Sequence, residues 1–205
     1  MSKSTDIVRL MAQTYAELSS YQDEGFTRDQ FGYMPFVTFF KRPNYFRFEW
    51  IRSHPFHLLR SLRDFRIVWS DGHETHTYWT GFAKLSRRDK NLSLAIAGAT
   101  GISRGAIRTV ACLLMSDLGG FKLPDLKECT LQREEVVDQV ECHVVVGVHP
   151  RSGERYKLWI GKNDHLLRQL VSGEDREIRS MVRVNHDIPG RAFAFTPPMG
   201  KQGCS

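Results

Sequence analysis

FFKRPNYFRFEW, residues 39–50, is the stretch on which the reading of this chain turns. After Arg42-Pro43, the aromatic residues Phe46, Phe48 and Trp50 alternate with Tyr45, Arg47 and Glu49. A period of two puts one set on each face of a β-strand, so one face becomes a row of large rings. Such a row either fills a closed core or lines a cavity for an apolar ligand. Periodicity alone does not separate the two.

The surrounding chain has the same β character. Residues 21–27 and 36–41 alternate as strands, with Pro35 and Pro43 expected where strands begin. Residues 65–70, Asp71-Gly72 and residues 73–79 predict a hairpin, because Asp-Gly supplies the positive φ angles of a type I′ turn. In that hairpin Ile67 and Trp69 share a face with His76 and Tyr78, a second aromatic row. Residues 141–148, 154–160, 166–171 and 177–185 predict a meander, followed by a short strand over 192–196 and a loose tail over 197–205.

Two segments change period. Ile7, Leu10, Met11, Thr14, Tyr15 and Leu18 recur at helical spacing, which predicts a helix over 4–19 capped by Ser4 or Thr5. Ile107, Val110, Ala111, Leu114 and Leu118 do the same inside an insert spanning 91–120, with Ser103 as its expected N-cap. Strands on both sides of a helical insert, with one helix in front, imply an α+β protein. The expected architecture is a curved antiparallel sheet with helices over one apolar face. With neither repeat nor linker, residues 1–205 are expected to form one domain, with β structure over 21–80 and 127–196.

The chain has 205 residues, net charge +6 and pI about 9.3, so an anionic partner must be considered. The arginines are scattered through alternating segments, which argues against nucleic acid. No apolar run approaches the roughly 20 residues of a membrane-spanning helix, and residues 1–18 lack the apolar core of a signal peptide.

The motifs that suggest chemistry have plainer explanations. His54/His57 and His73/His76 are spaced three apart, which on a strand points them to opposite sides, so no metal is expected. GATGISRG, residues 98–105, lacks the Gly-Lys-Ser/Thr ending of a phosphate loop and reads as a hinge. Cys142 and His143 are strand neighbours that point apart, and Asn91-Leu-Ser93 is a formal glycosylation sequon. Cys112, Cys129, Cys142 and Cys204 form no CxxC pair. If Asp138-Gln139 make a two-residue turn, Cys142 lies opposite Glu135 and Cys129 opposite Val148, too far apart for a disulfide. No cluster meets the geometry of an active site, so neither an enzyme nor a cofactor is expected. What the sheet offers instead is apolar surface: Phe36, Phe46, Phe48, Trp50, Ile67, Trp69 and Tyr78.

Three motifs in order carry a resemblance. Lys41-Arg42-Pro43-Asn44-Tyr45-Phe46, then Ile67-Val68-Trp69-Ser70-Asp71-Gly72, then Phe193-Ala-Phe-Thr-Pro-Pro-Met-Gly200 resemble the LolA/LolB-like periplasmic lipoprotein carriers and their relatives of unknown role. With their flanking strands they cover about half the chain. The resemblance implies a half-open β-barrel whose concave face is covered by helices, with a lipid or lipoprotein acyl chain bound between. It makes Phe36, Phe46, Phe48, Trp50, Ile67, Trp69 and Tyr78 the cavity wall. Arg42 matches the arginine that latches the helical lid by hydrogen bonds, a role suited to its fixed fork of donors. The plainer reading of Arg42 is a strand-edge arginine beside a proline. Residues 81–140 match no carrier motif.

The function so implied is extracytoplasmic acyl-chain binding without metal or cofactor, in the periplasm if a signal peptide has been removed. Partners would be lipid and a transient anionic membrane surface or membrane protein. The alternatives are a sensor or protein-interaction module on the same fold and a hydrolase, which would need a titratable cluster in the cleft.

Overall fold

The computed structural model describes residues 3–30, 32–52, 64–80 and 86–196. The chain opens with helix α1 (Lys3–Glu17), whose apolar stripe buries Ile7, Val8, Met11 and Tyr15. Asp6 in its first turn suits the positive end of the helix dipole. Ser4 lies inside the helix rather than at its cap, and its hydroxyl donates to the carbonyl oxygen of Cys129 at 2.6 Å.

Five strands follow: β1 (Ser20–Asp29), β2 (Gly32–Lys41), β3 (Tyr45–Arg52), β4 (Asp64–Asp71) and β5 (Thr75–Trp79). A short β6 (Arg87–Asp89) leads into helices α2 (Leu92–Thr100) and α3 (Ala106–Leu114). The remaining strands are β7 (Lys127–Leu131), β8 (Glu135–Val137), β9 (Val140–Val148), β10 (Arg155–Gly161), β11 (Leu167–Ser172) and β12 (Asp175–Val184). They form one antiparallel sheet in the order β6-β5-β4-β3-β2-β1-β12-β11-β10-β9-β7, with β8 on β9. The sheet does not close, since β6 and β7 stand at opposite ends of that order. It is an α+β half-barrel with its helices over the concave, apolar face.

Several local expectations change. Pro35 sits inside β2, opposite Phe26, but the β2–β3 ladder begins only at Phe36. A residue without an N–H is therefore placed beyond the end of one neighbouring ladder. The Asp71-Gly72 hairpin is wider than a two-residue turn: Ser70 pairs with Thr75, and the Asp71 carboxylate accepts from the N–H groups of His73 (2.9 Å) and Glu74 (2.8 Å). An aspartate side chain that mimics the backbone bond makes the longer loop the stable one. The helical insert is two helices, not one. Asn91 caps α2 by accepting from Leu94 N–H, Gly105 at φ 82° precedes α3, and Ser103 is buried in the link between them.

Residues 190–193 form a 3₁₀ turn instead of the start of a strand. This segment crosses the back of the sheet: Phe193 packs on Tyr45, and Phe195 on Phe65, Trp69 and Tyr78. Arg47 fixes it by donating to the carbonyl oxygens of Ala192 and Ala194 at 2.9 and 2.8 Å. The tail over 197–205, and with it Cys204, lies outside the described residues.

Candidate functional site

Register sorts the aromatic residues. Phe46, Phe48 and Trp50 lie opposite Phe40, Thr38 and Phe36 on one side and Ser70, Val68 and Arg66 on the other. All of these side chains point to the concave face. Phe36 stacks on Phe48 at 5.3 Å, and Phe48 contacts Trp50 at 5.5 Å. Ala95, Ile96 and Ala99 of α2 and Ile107, Val110 and Ala111 of α3 join the same buried cluster. Phe46 and Phe48 are 0% exposed, so in this structure the floor is packed against its helices.

Ile67, Trp69 and Tyr78 do not belong to that floor. Glu49 pairs with Ile67, which pairs with Tyr78, and Arg47 pairs with Trp69, which pairs with His76. They therefore face the convex side, where Phe195 covers Trp69 and Tyr78. The expectation of one seven-residue wall is corrected to four residues on the concave face and three on the convex one. The reason is parity: a one-residue change in register exchanges the faces of a strand.

Arg42 stands at the rim where α1 and α3 both end. Its Nε donates to the carbonyl oxygen of Leu18 at 2.8 Å, and its Nη2 to those of Ala16 and, at 3.1 Å, Leu114. Helix C-termini leave carbonyls unpaired, and a cation near them also meets the negative end of the dipole. One exposed side chain thus ties two helices to the start of β3.

A second arginine holds the other end of α3 from beneath. Arg179 on β12 is 1% exposed, ion-paired to Asp23 and Glu177, and donates from Nη2 to the carbonyl oxygen of Ala106 at 2.7 Å. Thr109 of α3 donates to Glu177 Oε2 at 2.8 Å. Tyr21 donates to Asp23 at 2.6 Å, and Leu167 N–H donates to the Tyr15 hydroxyl at 3.2 Å. Burial pushes the Tyr15 hydroxyl up to about 12 and the Glu177 carboxyl above its usual range. Burial opposes the charge on Arg179, yet Asp23 and Glu177 hold its pKa well above the usual value. Sequence reading missed this cluster. Its one visible signal is same-face spacing: Tyr21-x-Asp23 and Glu177-x-Arg179, on strands that prove to be neighbours.

The remaining motifs carry structure. His76 stacks on Trp69 at 4.8 Å and meets Glu74 at 3.0 Å, while His54 and His57 lie outside the described residues. Among the described residues no group of three His, Cys, Asp or Glu side chains is placed to hold a metal. Asp138 and Gln139 do turn with positive φ and set Cys142 opposite Glu135, whereas Val148 pairs with Lys127 rather than Cys129. Cys112, Cys129 and Cys142 are free thiols, each with its pKa raised by burial. No helix of the described residues is long and apolar enough to cross a membrane.

No protein-family model and no curated protein sequence matches the chain. Solved structures do. An uncharacterised conserved protein from Thermus thermophilus superposes with a TM-score of 0.58 at 10% identity, covering 96% of this chain and 95% of that one. LprF from Mycobacterium bovis gives 0.53 at 11% identity, over 91% and 95% of the two chains. The Mycobacterium tuberculosis lipoprotein LppX gives 0.52 at 11% identity, over 90% and 96%. The fold is LolA/LolB-like. In this chain the concave sheet is the floor and α3 the element across it, with Arg42 at one end and Arg179 at the other. At these identities the likeness is one of fold alone.

Proposed function

We propose that this protein is an extracytoplasmic, carrier-like binder of lipid or lipoprotein acyl chains, which enter between its helices and the aromatic floor of Phe36, Phe46, Phe48 and Trp50. The observation that carries this reading is the Arg42 contact. A helix across an apolar floor is held at its free end by an exposed side chain whose hydrogen bonds go to main-chain oxygens. Each such exposed bond contributes about 0.5 kcal/mol net. An acyl chain gains about 0.8 kcal/mol per buried methylene. About two methylenes therefore offset the loss of all three bonds, and longer chains tip the lid equilibrium towards the bound state. No bond-breaking chemistry is required. The net charge of +6 favours approach to an anionic membrane surface, and the fold shared with the lipoprotein LppX points the same way.

The test is mass spectrometry of an organic extract of gently purified protein, alongside uptake of a fluorescent fatty acid by the parent and by Arg42→Met. Co-purified lipid, or saturable uptake that is faster in R42M, is expected. An empty protein that takes up no fatty acid in either form would sink the reading.

A second reading, a sensor or protein-interaction module, is favoured by one observation. The floor is filled, while a cleft of about 390 Å³ opens on the back of the sheet between Phe26, Tyr33, Pro35, Val37, Ile51 and Phe65. Its rim exposes 47% of Tyr33. An empty protein would turn the search there.

A further inference from the structure

At the end of α3 opposite Arg42, a second cleft opens between the helix and the sheet rim. Its volume is about 140 Å³, and it lies where β1 ends, β12 begins and β11 ends. This is smaller than the roughly 300 Å³ at which drug-sized pockets begin. A single water needs about 10–15 Å³ of such space, so a small polar group has room. A headgroup fits there; a whole lipid does not.

The lining is amphiphilic. Cys112 of α3, Leu123 and Leu170 supply an apolar wall on the helix–sheet interface. Four cations, Arg104, Arg108, Lys122 and Arg176, stand against two carboxylates, Asp175 and Glu177. The carboxylates are partly answered from within: Glu177 is paired to Arg179, and burial raises the pKa of Asp175. Arg104 is likewise spoken for by Asp29 at 3.0 Å. Arg104 donates to the Gly32 carbonyl as well as to that carboxylate, whereas the bonds of Arg108 and Lys122 go to the main-chain carbonyls of Gly119 and Ser116. Both side chains line the cleft beside Cys112, whose thiol burial pushes up while the two cations oppose that rise. One independent feature points inward: Thr27 is 1% exposed, lines the cleft, and its hydroxyl has no hydrogen-bond partner among the described residues. An unpaired buried hydroxyl costs about 1–3 kcal/mol, so a ligand oxygen that satisfies it is favoured.

We infer that this cleft is the headgroup end of the lipid site, and that it selects amphiphiles carrying an oxyanion, carboxylate or phosphate, over uncharged ones. Arg108 and Lys122 exchange weak carbonyl partners for the oxyanion, and the Thr27 hydroxyl donates to it. The acyl chain leads inward past Cys112, beneath α3. The inference rests on the acyl-binding reading and adds to it the chemical class of ligand and the direction in which the ligand lies.

The test compares equilibrium binding of oleate, methyl oleate and inorganic phosphate to the parent, to R108Q/K122Q and to Thr27→Val. The parent is expected to prefer oleate to methyl oleate by roughly tenfold or more, the effect of one charge-assisted hydrogen bond. R108Q/K122Q should lose that preference while keeping its affinity for methyl oleate. T27V should weaken oleate by about threefold or more while its melting temperature stays or rises, since an unsatisfied hydroxyl has gone. A purely structural role for Thr27 would lower the melting temperature and leave binding alone. Equal binding of both lipids, unchanged in the variants, would overturn the headgroup site and leave the acyl reading standing. Phosphate binding as tightly as oleate would overturn it in favour of a free-anion site. Binding of neither lipid would remove the inference together with the reading beneath it.

Discussion

Arg179 donates to the carbonyl oxygen of Ala106, the first residue of α3, from a position that is 1% exposed. Since Arg42 binds the carbonyl of Leu114, the last residue of the same helix, α3 is pinned at both ends by arginines of opposite character. The outer one is exposed and hydrogen-bonds carbonyls. The inner one is buried and neutralises two carboxylates. A helix held in this way opens more readily at its Leu114 end, where water can replace the lost bonds.

Arg179→Met should therefore be far more damaging than Arg42→Met. Removing one member of a buried ion cluster leaves Asp23 and Glu177 without a counter-charge, at a cost of about 3–5 kcal/mol. For a chain of this size that lowers the melting temperature by roughly 10 °C. R42M should cost about 1–2 kcal/mol, since exposed charge-assisted bonds are replaced by water. Urea denaturation of both variants decides it, and equal losses would refute the asymmetry.

Tyr15 makes stability depend on alkaline pH. Its pKa is raised from 10.0 to about 12 in the folded chain, first because burial disfavours the phenolate. The folded form thus holds a proton that the unfolded chain releases. The stabilisation is complete below pH 10 and is lost as pH rises through about 12. Across that window the loss is roughly 3 kcal/mol. Urea midpoints measured through the window should fall in the parent and fall less steeply in Tyr15→Phe. Tyr21, raised for the same reason, keeps the slope from vanishing.

Much of this architecture is legible in the sequence. Period-two runs place most strands, and helical spacing places α1 and α3, because each element buries one stripe against the same core. The Arg42-Pro43 motif marks a residue that does reach helix carbonyls. Parity across the β3–β4 connection is not legible. Residues 53–63 separate β3 from β4, and a connection of that length fixes no register. Ile67 and Trp69 look like concave residues because the convex face is apolar there too, covered by Phe195 from a segment distant in sequence. The Arg179 cluster is hidden for a related reason: charged residues at strand spacing read as a solvated face unless their partners are known.

Gly25 is a packing requirement. A Cβ there would lie 2.5 Å from Phe36 Cζ and within clashing distance of the Ile178 carbonyl oxygen. Gly25→Ala should cost about 1–3 kcal/mol or more through overpacking and a displaced floor ring. Gly101 has φ −65° and nothing within 4 Å of its would-be Cβ. Gly101→Ala should therefore be neutral or stabilise by about 0.4–1 kcal/mol, through a less disordered unfolded chain. Thermal melts of the two alanine variants check both signs.

The two faces of the sheet give the sharpest test of where ligand goes. Phe36 lies on the concave floor and Trp69 on the convex side beneath Phe195, though both are buried and aromatic. Phe36→Leu and Trp69→Leu should each destabilise the fold, since each thins a packed aromatic cluster. Only the first should change fatty-acid affinity, by about fivefold if one contact worth about 1 kcal/mol is lost. Phe195→Ala provides the control for the back: it should increase quenching of Trp69 by iodide and leave fatty-acid binding unchanged. If Trp69→Leu weakens binding as much as Phe36→Leu at equal stability, the ligand lies on the convex side. The half-barrel would then be used from its outer surface.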